Sequence, residues 1–137
     1  MSARLPGVAL GIGCDRGTPL ATLQAALDEA LALANLTRAD VRALASITLK
    51  ADEAGLLALA QAHGWPITFY PAEQLAEVPV PNPSETVRRH TGTPSVSEAA
   101  ALLAAGAGID ALLVEKHRHR GPDGRNATVS IARIPHD

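Results

Sequence analysis

Aromatic side chains are nearly missing from this sequence, since Trp, Tyr and Phe occur once each in 137 residues. The core must therefore be built from Ala, Leu, Val and Ile, and little aromatic surface remains for the base stacking that single-strand binders need. A net charge of -2 gives no general attraction to DNA, RNA or an acidic membrane surface. The composition predicts that neither a nucleic acid nor a membrane is a partner.

Cysteine and long apolar runs are also scarce. The one cysteine, Cys14, excludes an internal disulfide and a cysteine-rich zinc site. The apolar run 8–13 is too short for a signal peptide, and no run approaches the roughly 18 residues of a membrane helix. We therefore expect a cytoplasmic protein. The length, with 47% hydrophobic residues, predicts one domain over residues 1–137.

Short apolar runs alternate with helical patterns, and turn residues at 121–124 separate the last two runs. The pattern predicts an α/β fold: a single three-layer domain with a mixed sheet, parallel in its first strands and ending in an antiparallel C-terminal hairpin. The predicted strands are 8–13, 46–49, 67–70, 111–114 and 128–132. The predicted helices have their caps at Thr18, Asp52, Asn82 and Ser95, with a further short helix at 71–77.

Lysine is used only twice, at Lys50 and Lys116, and every other basic residue is arginine. Each lysine comes where a predicted buried strand runs into a loop. Because open α/β sheets bind ligands beyond the carboxyl ends of their strands, two ammonium groups there predict a pocket for an anion. The alternative is that each lysine is only a solvated charge at the sheet edge.

The loop Gly11-Ile12-Gly13-Cys14-Asp15-Arg16-Gly17-Thr18 joins the first strand to a helix. Free backbone N–H groups and the positive end of a helix dipole can make such a loop an anion site, with Arg16 as the side-chain contact. The loop lacks the Lys-Ser/Thr pair of a Walker motif and the glycine spacing of a dinucleotide fingerprint. It can also be a tight turn that needs glycine for its dihedral angles. A further alternative makes Cys14 a nucleophile, although no partner base is identifiable.

The segment Lys50-Ala51-Asp52-Glu53 has two interpretations. Asp52 is favoured as a helix cap, with Glu53 as a charge in the first helical turn. In the alternative, Lys50 and a carboxylate share the crevice at the strand ends and support acid–base chemistry.

An extended connector at 78–81, rich in proline, precedes two further helix starts. Asn82 and Ser95 each precede a glutamate by three residues, which is the spacing of a capping box. Capping explains these residues structurally. Long loops in small domains are often functional, however, so Asn82, Ser84 and Ser95 are also predicted to contact a ligand.

The polar run 115–120 lies on one arm of the predicted hairpin. Strand alternation puts His117 and His119 on one face, but two histidines without a third ligand are a weak metal signal. The arginines of the run and Arg125 are expected to solvate the hairpin or, alternatively, to contact ligand carboxylates. The sequence predicts neither a metal site nor a cofactor.

Several segments together carry a family resemblance. They are Gly11-Ile12-Gly13-Cys14-Asp15-Arg16-Gly17, Leu49-Lys50-Ala51-Asp52-Glu53-Ala54-Gly55-Leu56, Val80-Pro81-Asn82-Pro83-Ser84-Glu85, Gly92-Thr93-Pro94-Ser95-Val96-Ser97-Glu98-Ala99-Ala100-Ala101-Leu102 and Ile131-Ala132-Arg133. In this order they resemble the cobalamin-biosynthesis domain that occurs alone as CobE and at the C-terminus of CbiG. The resemblance covers residues 8–134, and the shared order makes it more specific than any single motif.

The resemblance implies a role in building the corrin ring of cobalamin. In longer family members the domain accompanies an N-terminal portion, and the whole protein opens a lactone on a cobalt-precorrin and releases acetaldehyde. That activity is not carried over to these residues, which match only the shared domain. Precorrins carry many acetate and propionate groups, so a site for them needs Arg, Lys and helix N-termini.

We therefore predict an aerobic-pathway protein that binds or hands on a precorrin or another anionic tetrapyrrole. Arg16, Lys50 and Lys116 are the predicted carboxylate contacts, and first-loop amides, Ser84 and Ser95 are predicted neutral donors. The complete predicted ligand-binding set is Gly13, Cys14, Arg16, Gly17, Lys50, Asn82, Ser84, Ser95 and Lys116.

Two alternatives remain open. The first is a hydrolase or lyase acting on a precorrin side chain or lactone, with Lys50 or Glu53 as the base and Cys14 as a remote nucleophile candidate. The second is an interaction module that docks on another corrin-pathway enzyme, such as a precorrin methyltransferase.

Overall fold

A computed structural model describes residues 7–93 and 95–135. It contains five strands: β1 (Val8–Cys14), β2 (Val41–Ile47), β3 (Ile67–Tyr70), β4 (Leu112–Arg120) and β5 (Asn126–Arg133). They form one sheet in the order β3-β2-β1-β5-β4. β1, β2 and β3 are parallel, and β5 runs antiparallel to both β1 and β4. The predicted mixed sheet with its C-terminal hairpin is confirmed.

Helices cover both faces of the sheet. They are α1 (Leu20–Leu33), α2 (Ala54–His63), α3 (Ala72–Ala76), α4 (Glu85–Thr91) and α5 (Val96–Ala105). α1 and α2 bury their apolar residues against one face, and α3 and α5 pack on the other. The three-layer α/β prediction is therefore also confirmed.

The two faces of β1 differ in side-chain size, which decides how closely each helix approaches. Leu10 and Ile12 are fully buried on the side of α1 and α2. On the other side, a Cβ added to Gly11 would overlap the backbone carbonyl oxygen of Ser97 in α5. Glycine is therefore required for α5 to lie directly on the sheet, and this contact brings the start of α5 to the carboxyl end of β1.

The predicted caps of the first two long helices are wrong. α1 begins after Pro19 rather than Thr18, whose hydroxyl instead donates to the carbonyl oxygen of Asp15 at 2.6 Å. α2 begins after Glu53, because Asp52 is engaged by Arg16 instead of the helix N-terminus. Thr18 bonds within the loop between β1 and α1, whereas Asp52 bonds to that loop from a distant part of the chain, which a local capping rule cannot anticipate.

Of the two later predicted helix starts, the one at Asn82 is wrong and the one at Ser95 is confirmed. Ser84, not Asn82, caps α4 and accepts the backbone N–H of Val87 at 3.2 Å. α5 does begin after Ser95, as predicted, but the Ser95 hydroxyl makes no capping hydrogen bond. Asn82 and Glu98 are bonded to each other across the loop rather than to their own helix ends.

Two strands end at other residues than predicted, and as a result neither lysine lies at the end of a strand. β2 ends at Ile47 and is followed by the 3₁₀ turn Thr48–Lys50, so Lys50 ends a turn rather than the strand. β4 continues to Arg120, so Lys116 lies inside the strand rather than at its end. Pairing with β5 stabilises the polar half of β4, and its apolar pattern therefore stops before its hydrogen bonding does.

Within the described residues, no helix combines the length and the apolar character needed to cross a bilayer.

Candidate functional site

A cavity of about 500 Å³ opens at the edge of the sheet where the parallel strands end. It is lined by the end of β1, the turn after β2, the outer half of β4, the start of β5, and residues of α4 and α5. Strand ends are the usual ligand position in open α/β sheets, and ligand pockets span roughly 300–1,000 Å³. This cavity is our candidate site.

Arg16 ties the first loop to the segment after β2. One guanidinium nitrogen donates to Asp52 at 2.8 Å and to Glu53 at 3.1 Å, and the other donates to the Leu49 carbonyl oxygen at 2.5 Å. The Arg16 hydrogen bond lowers the pKa of Asp52 below its ordinary 3.8. Glu53 is 5% exposed and also accepts the backbone N–H of Gly17 at 2.8 Å. Arg16 lines the cavity, but two carboxylates of the protein already compensate its charge.

Among the described residues that line the cavity, Asp15 alone carries a carboxylate. Its Oδ2 accepts the backbone N–H of Asn126 at 2.7 Å and the Asn126 side-chain amide at 3.2 Å. The backbone N–H of Asp15 in turn donates to the Asn126 carbonyl oxygen at 3.0 Å. These bonds join the first loop to the start of β5 and occupy one oxygen of the Asp15 carboxylate.

Cys14 is the last residue of β1 and lines the cavity. Burial raises the pKa of its thiol from 9.0 to about 11, although the charge of Lys50 acts in the opposite direction. The thiol is therefore protonated at neutral pH, whereas a cysteine nucleophile must be a thiolate. This environment does not favour the nucleophile role considered from the sequence.

Lys50 reaches the cavity from the 3₁₀ turn that follows β2. Burial has the largest effect on the pKa of Cys14, and the charge of Lys50, which lowers that pKa, has the second largest. The Lys50 ammonium group is therefore close to the first loop. Within residues 7–93 and 95–135, Lys50 forms no ion pair and donates no hydrogen bond from its side chain.

Lys116 and Arg118 face the cavity because of a bulge in β4 between Val114 and His117, the second of two register shifts in its pairing with β5. The three steps from Val114 to His117 oppose only the two steps from Ile131 to Val129 on β5, so one residue of β4 is extra. A one-residue shift exchanges the two faces of a strand, and without it Lys116 and Arg118 would share the face of Val114. Val114 packs in the core with α1.

His117 and His119 lie on the opposite face of β4 from the cavity. Their ring nitrogens are 2.7 Å and 3.0 Å from the Glu29 carboxylate of α1. Hydrogen bonding to His117, assisted by His119, lowers the pKa of Glu29. The expectation that both histidines share a face is confirmed. No group of three or more His, Cys, Asp or Glu within the described ranges has the arrangement of a metal site.

Three of the cations that line the cavity thus have no ionic partner in the described part of the chain. Lys116 donates to the Asn82 carbonyl oxygen at 3.1 Å, and neither it nor Lys50 nor Arg118 pairs with a described carboxylate. His90 of α4 adds a fourth group that can carry positive charge. The cavity is electrostatically suited to an anion with several negative groups.

The structure places some predicted site residues at the cavity and others beside it. Gly13, Cys14, Arg16, Lys50 and Lys116 are lining residues. The remaining predicted contacts have partners or positions elsewhere.

Of those remaining, the Gly17 amide is bonded to Glu53, and Ser84 caps α4. Ser95 is fully buried behind the start of α5. Asn82 contacts Lys116 through its carbonyl oxygen and does not itself line the cavity.

Sequence reasoning missed the contribution of α4 and understated that of Arg118. Thr86, Val87 and His90 of α4 line the cavity, and no hydrophobic or charge pattern in that short helix indicates it. Arg118 was considered mainly as a solvated charge. Extending strand alternation from Lys116 through residue 118 would have placed both cations on one face.

Comparison with known proteins agrees with the fold and identifies the family. The family model described as Cobalamin synthesis G C-terminus matches residues 8–132. The crystal structure of CobE, a protein from the cobalamin (vitamin B12) biosynthetic pathway, is similar with a TM-score of 0.79 at 34% identity. That match covers 100% of this chain and 97% of the other.

Two curated relatives are similar over much of the chain. Protein CobE from Sinorhizobium sp is 43% identical over 110 residues, which are 79% of this chain and 70% of that protein. Cobalt-precorrin-5A hydrolase from Priestia megaterium is 38% identical over 130 residues, which are 95% of this chain but only 33% of the hydrolase. The chain therefore spans about a third of that enzyme's length. The resemblance seen in the sequence is confirmed: this chain belongs to the Cobalamin synthesis G C-terminus family and is a cobalamin-biosynthesis protein.

Proposed function

We propose that this protein binds a precorrin of the aerobic pathway, holding or handing on the intermediate, and that the cavity receives its carboxylates. The observation that carries the proposal is the group of three cations, Lys50, Lys116 and Arg118, that share one cavity without a described carboxylate partner. Like charges that share a cavity repel one another, and an anion between them relieves that repulsion. A polyanionic ligand supplies the missing charge.

The chemistry of a precorrin complements that of the cavity. Its acetate and propionate groups lie around the rim of the ring, where lysine can act as a point charge and arginine can bond in a bidentate manner. Val96 and Ser97 at the start of α5 also line the cavity and add the positive end of a helix dipole. A tetrapyrrole is larger than the drug-sized ligands that such volumes enclose, so we expect one edge of the ring to enter.

The test is an absorbance titration with cobyrinic acid, a corrinoid that carries free carboxylates. We expect Lys50→Ala combined with Lys116→Ala to weaken binding by about a hundred-fold or more, since each hydrogen bond to a charged group contributes about 1.5–3 kcal/mol. The melting temperature should change little, because neither lysine forms an ion pair with a described residue. Fully esterified cobyrinic acid should bind wild-type protein no better than the free acid binds the variant.

A matched control removes the same charge at the other end of the sheet. Arg42 and Arg133 lie near the ends of β2 and β5 that adjoin Val8, away from the cavity. Replacing both by alanine should leave the affinity for cobyrinic acid within about two-fold, because screening limits charge effects beyond about 10 Å. Unaltered affinity in the lysine variant, or an equal loss in this control, would contradict the proposal.

Expression of the chain beside aerobic-pathway enzymes gives an independent readout, because a bound tetrapyrrole is coloured. Tetrapyrrole absorbance should co-purify with the wild-type protein and not with the double lysine variant. Co-purification of a pathway enzyme without any tetrapyrrole affinity would instead support the docking alternative.

A hydrolase or lyase acting on a precorrin is the second candidate, and similarity to the Priestia megaterium enzyme favours it. Of the residues considered for that chemistry, Glu53 is held by Gly17 and Arg16, and Cys14 is protonated. Lys50 is the base candidate that remains. Acetaldehyde or another cleavage product released from a purified precorrin by this chain alone, and lost in Lys50→Ala, would establish the second candidate.

A further inference from the structure

The carboxylate of Glu98 in α5 is fully buried, yet Glu98 does not line the cavity. Burying a carboxylate is costly unless hydrogen bonds or an opposite charge compensate it. Within the described part of the chain, no cation forms an ion pair with Glu98. A residue kept at this cost in a core of Ala and Leu needs an explanation.

Glu98 is compensated by one residue, Asn82, which approaches from the connector. The backbone N–H of Asn82 donates to Oε1 of Glu98 at 3.3 Å, and its side-chain amide donates to Oε2 at 2.7 Å. Both carboxylate oxygens are therefore used on a single partner. The third position of α5 is also favourable for a negative charge near the helix N-terminus.

Asn82 connects the buried Glu98 to a residue that lines the cavity. Its side-chain amide donates a second hydrogen bond to Glu115 at 3.0 Å, and its carbonyl oxygen accepts the Lys116 ammonium at 3.1 Å. Glu115 and Lys116 form the bulge of β4. Asn82 thus links α5, the bulge and the chain that enters α4, with Lys116 as the one of these contacts that lines the cavity.

We propose that Glu98 is a positioning residue of the ligand site: it fixes Asn82, and Asn82 fixes the Lys116 ammonium that meets a ligand carboxylate. Glu98 itself does not contact the ligand. The inference rests on the proposed function, because it states how one cation of that same site is held in place. A purely structural role for Glu98 would instead affect the whole fold and show no preference for Lys116.

A double-mutant cycle separates these roles. Gln has the shape of Glu, but its NH₂ group would face the donors of Asn82, so Glu98→Gln loses one of the two hydrogen bonds. We expect cobyrinic acid to bind this variant about ten-fold more weakly, since a buried donor loses its acceptor. In a Lys116→Ala background the further loss should be less than about two-fold, because the side chain that Glu98 positions is gone.

The matched control cycle uses the other lysine. Lys50 has no described hydrogen bond to Asn82 or Glu98, so Glu98→Gln should still cost about ten-fold in a Lys50→Ala background. Equal effects of Glu98→Gln in the two lysine backgrounds would overturn the positioning role. Should Glu98→Gln not fold, Asn82→Ala changes an exposed residue instead: it removes the side-chain hydrogen bond to Glu98, keeps the backbone carbonyl that accepts the Lys116 ammonium, and must give the same preference for Lys116.

A ligand-free measurement keeps this inference separate from the proposed function. Because lysine occurs only twice, ¹³Cε-lysine labelling gives two side-chain NMR signals. Glu98→Gln should move the Lys116 signal and leave the Lys50 signal in place. Shifts of both signals to a similar extent, or of neither, would overturn the inference even if wild-type protein binds cobyrinic acid, while absent binding with a selective Lys116 shift would count against the proposed function alone.

Discussion

The cavity has two cationic sides that differ in how their charge is compensated. On the first-loop side, Arg16 is bonded to Asp52 and Glu53. On the β4 side, Lys116 and Arg118 have no carboxylate partner among the described residues. The same type of charge therefore serves the fold on one side and is available to a ligand on the other. Counting basic residues near a crevice does not define a site, because their partners decide which charges remain.

The two ion pairs of Arg16 also differ from each other. The side chains of Arg16 and Asp52 are 54% and 81% exposed, so their ion pair contributes little. The Glu53 side chain is 6% exposed and bonds both Arg16 and Gly17. Glu53 is thus the residue that holds the first loop against the segment after β2.

The largest expected effect concerns Cys14, which belongs to the structural side. With a pKa of about 11, roughly a thousandth of the thiol is thiolate at pH 8, against about a tenth at the ordinary 9.0. We expect iodoacetamide to alkylate Cys14 about a hundred-fold more slowly in the folded protein than in denaturant. The rate should rise with pH until about 11 and then level off. A fast reaction at pH 7 would show that Cys14 is a reactive thiolate and would contradict its placement on the structural side.

The next effect separates stability from binding. Replacing Glu53 by alanine leaves the Gly17 amide and Arg16 without their buried acceptor, and should lower the free energy of unfolding by about 2 kcal/mol. Lys50→Ala, only a few residues away, should change it by less than about 0.5 kcal/mol while weakening the binding of cobyrinic acid. Urea denaturation of both variants measures the difference. Equal stability losses would show that compensated and uncompensated charges do not differ as described.

The smallest effect is the dependence of binding on salt. Raising the ionic strength from about 0.1 M to 1 M shortens the Debye length from about 10 Å to 3 Å, and should weaken binding of cobyrinic acid about ten-fold. The double lysine variant should show little such dependence, since its uncompensated charges are largely removed. Arg16→Ala should keep the wild-type salt dependence, because its charge is already balanced. A salt response that follows Arg16 rather than the lysines would reverse the assignment of compensated and uncompensated charges.

Most of the fold and part of the site could be predicted from residues alone. α1, α2 and α5 end next to Asn35, Gly64 and Gly106, and these ends follow a local rule because their left-handed backbone favours Gly or Asn. The predicted caps at Thr18 and Asp52 are wrong for different reasons: the Thr18 hydroxyl bonds Asp15 within the same loop, and Asp52 is bonded by Arg16. Only for Asp52 did a partner distant in the sequence prevail over the local rule.

The position of Lys116 illustrates what local patterns omit. A bulge is a property of two paired strands. The extra residue between Val114 and His117 can be recognised only when the pairing of β4 with β5 is known. The same holds for α4, whose short polar sequence gives no reason to expect it at a cavity.

The sequence by itself determined the alternation of apolar runs and helical segments, the turn of the last hairpin and the rarity of lysine, because these depend on periodicity and composition. Only the tertiary structure decided which cations are neutralised. Arg16 meets Glu53 across a long stretch of chain, and the bulge selects the face of Lys116. Electrostatic pairing acts through space, so it becomes defined only when the packed sheet and helices bring those groups within a few ångströms of each other.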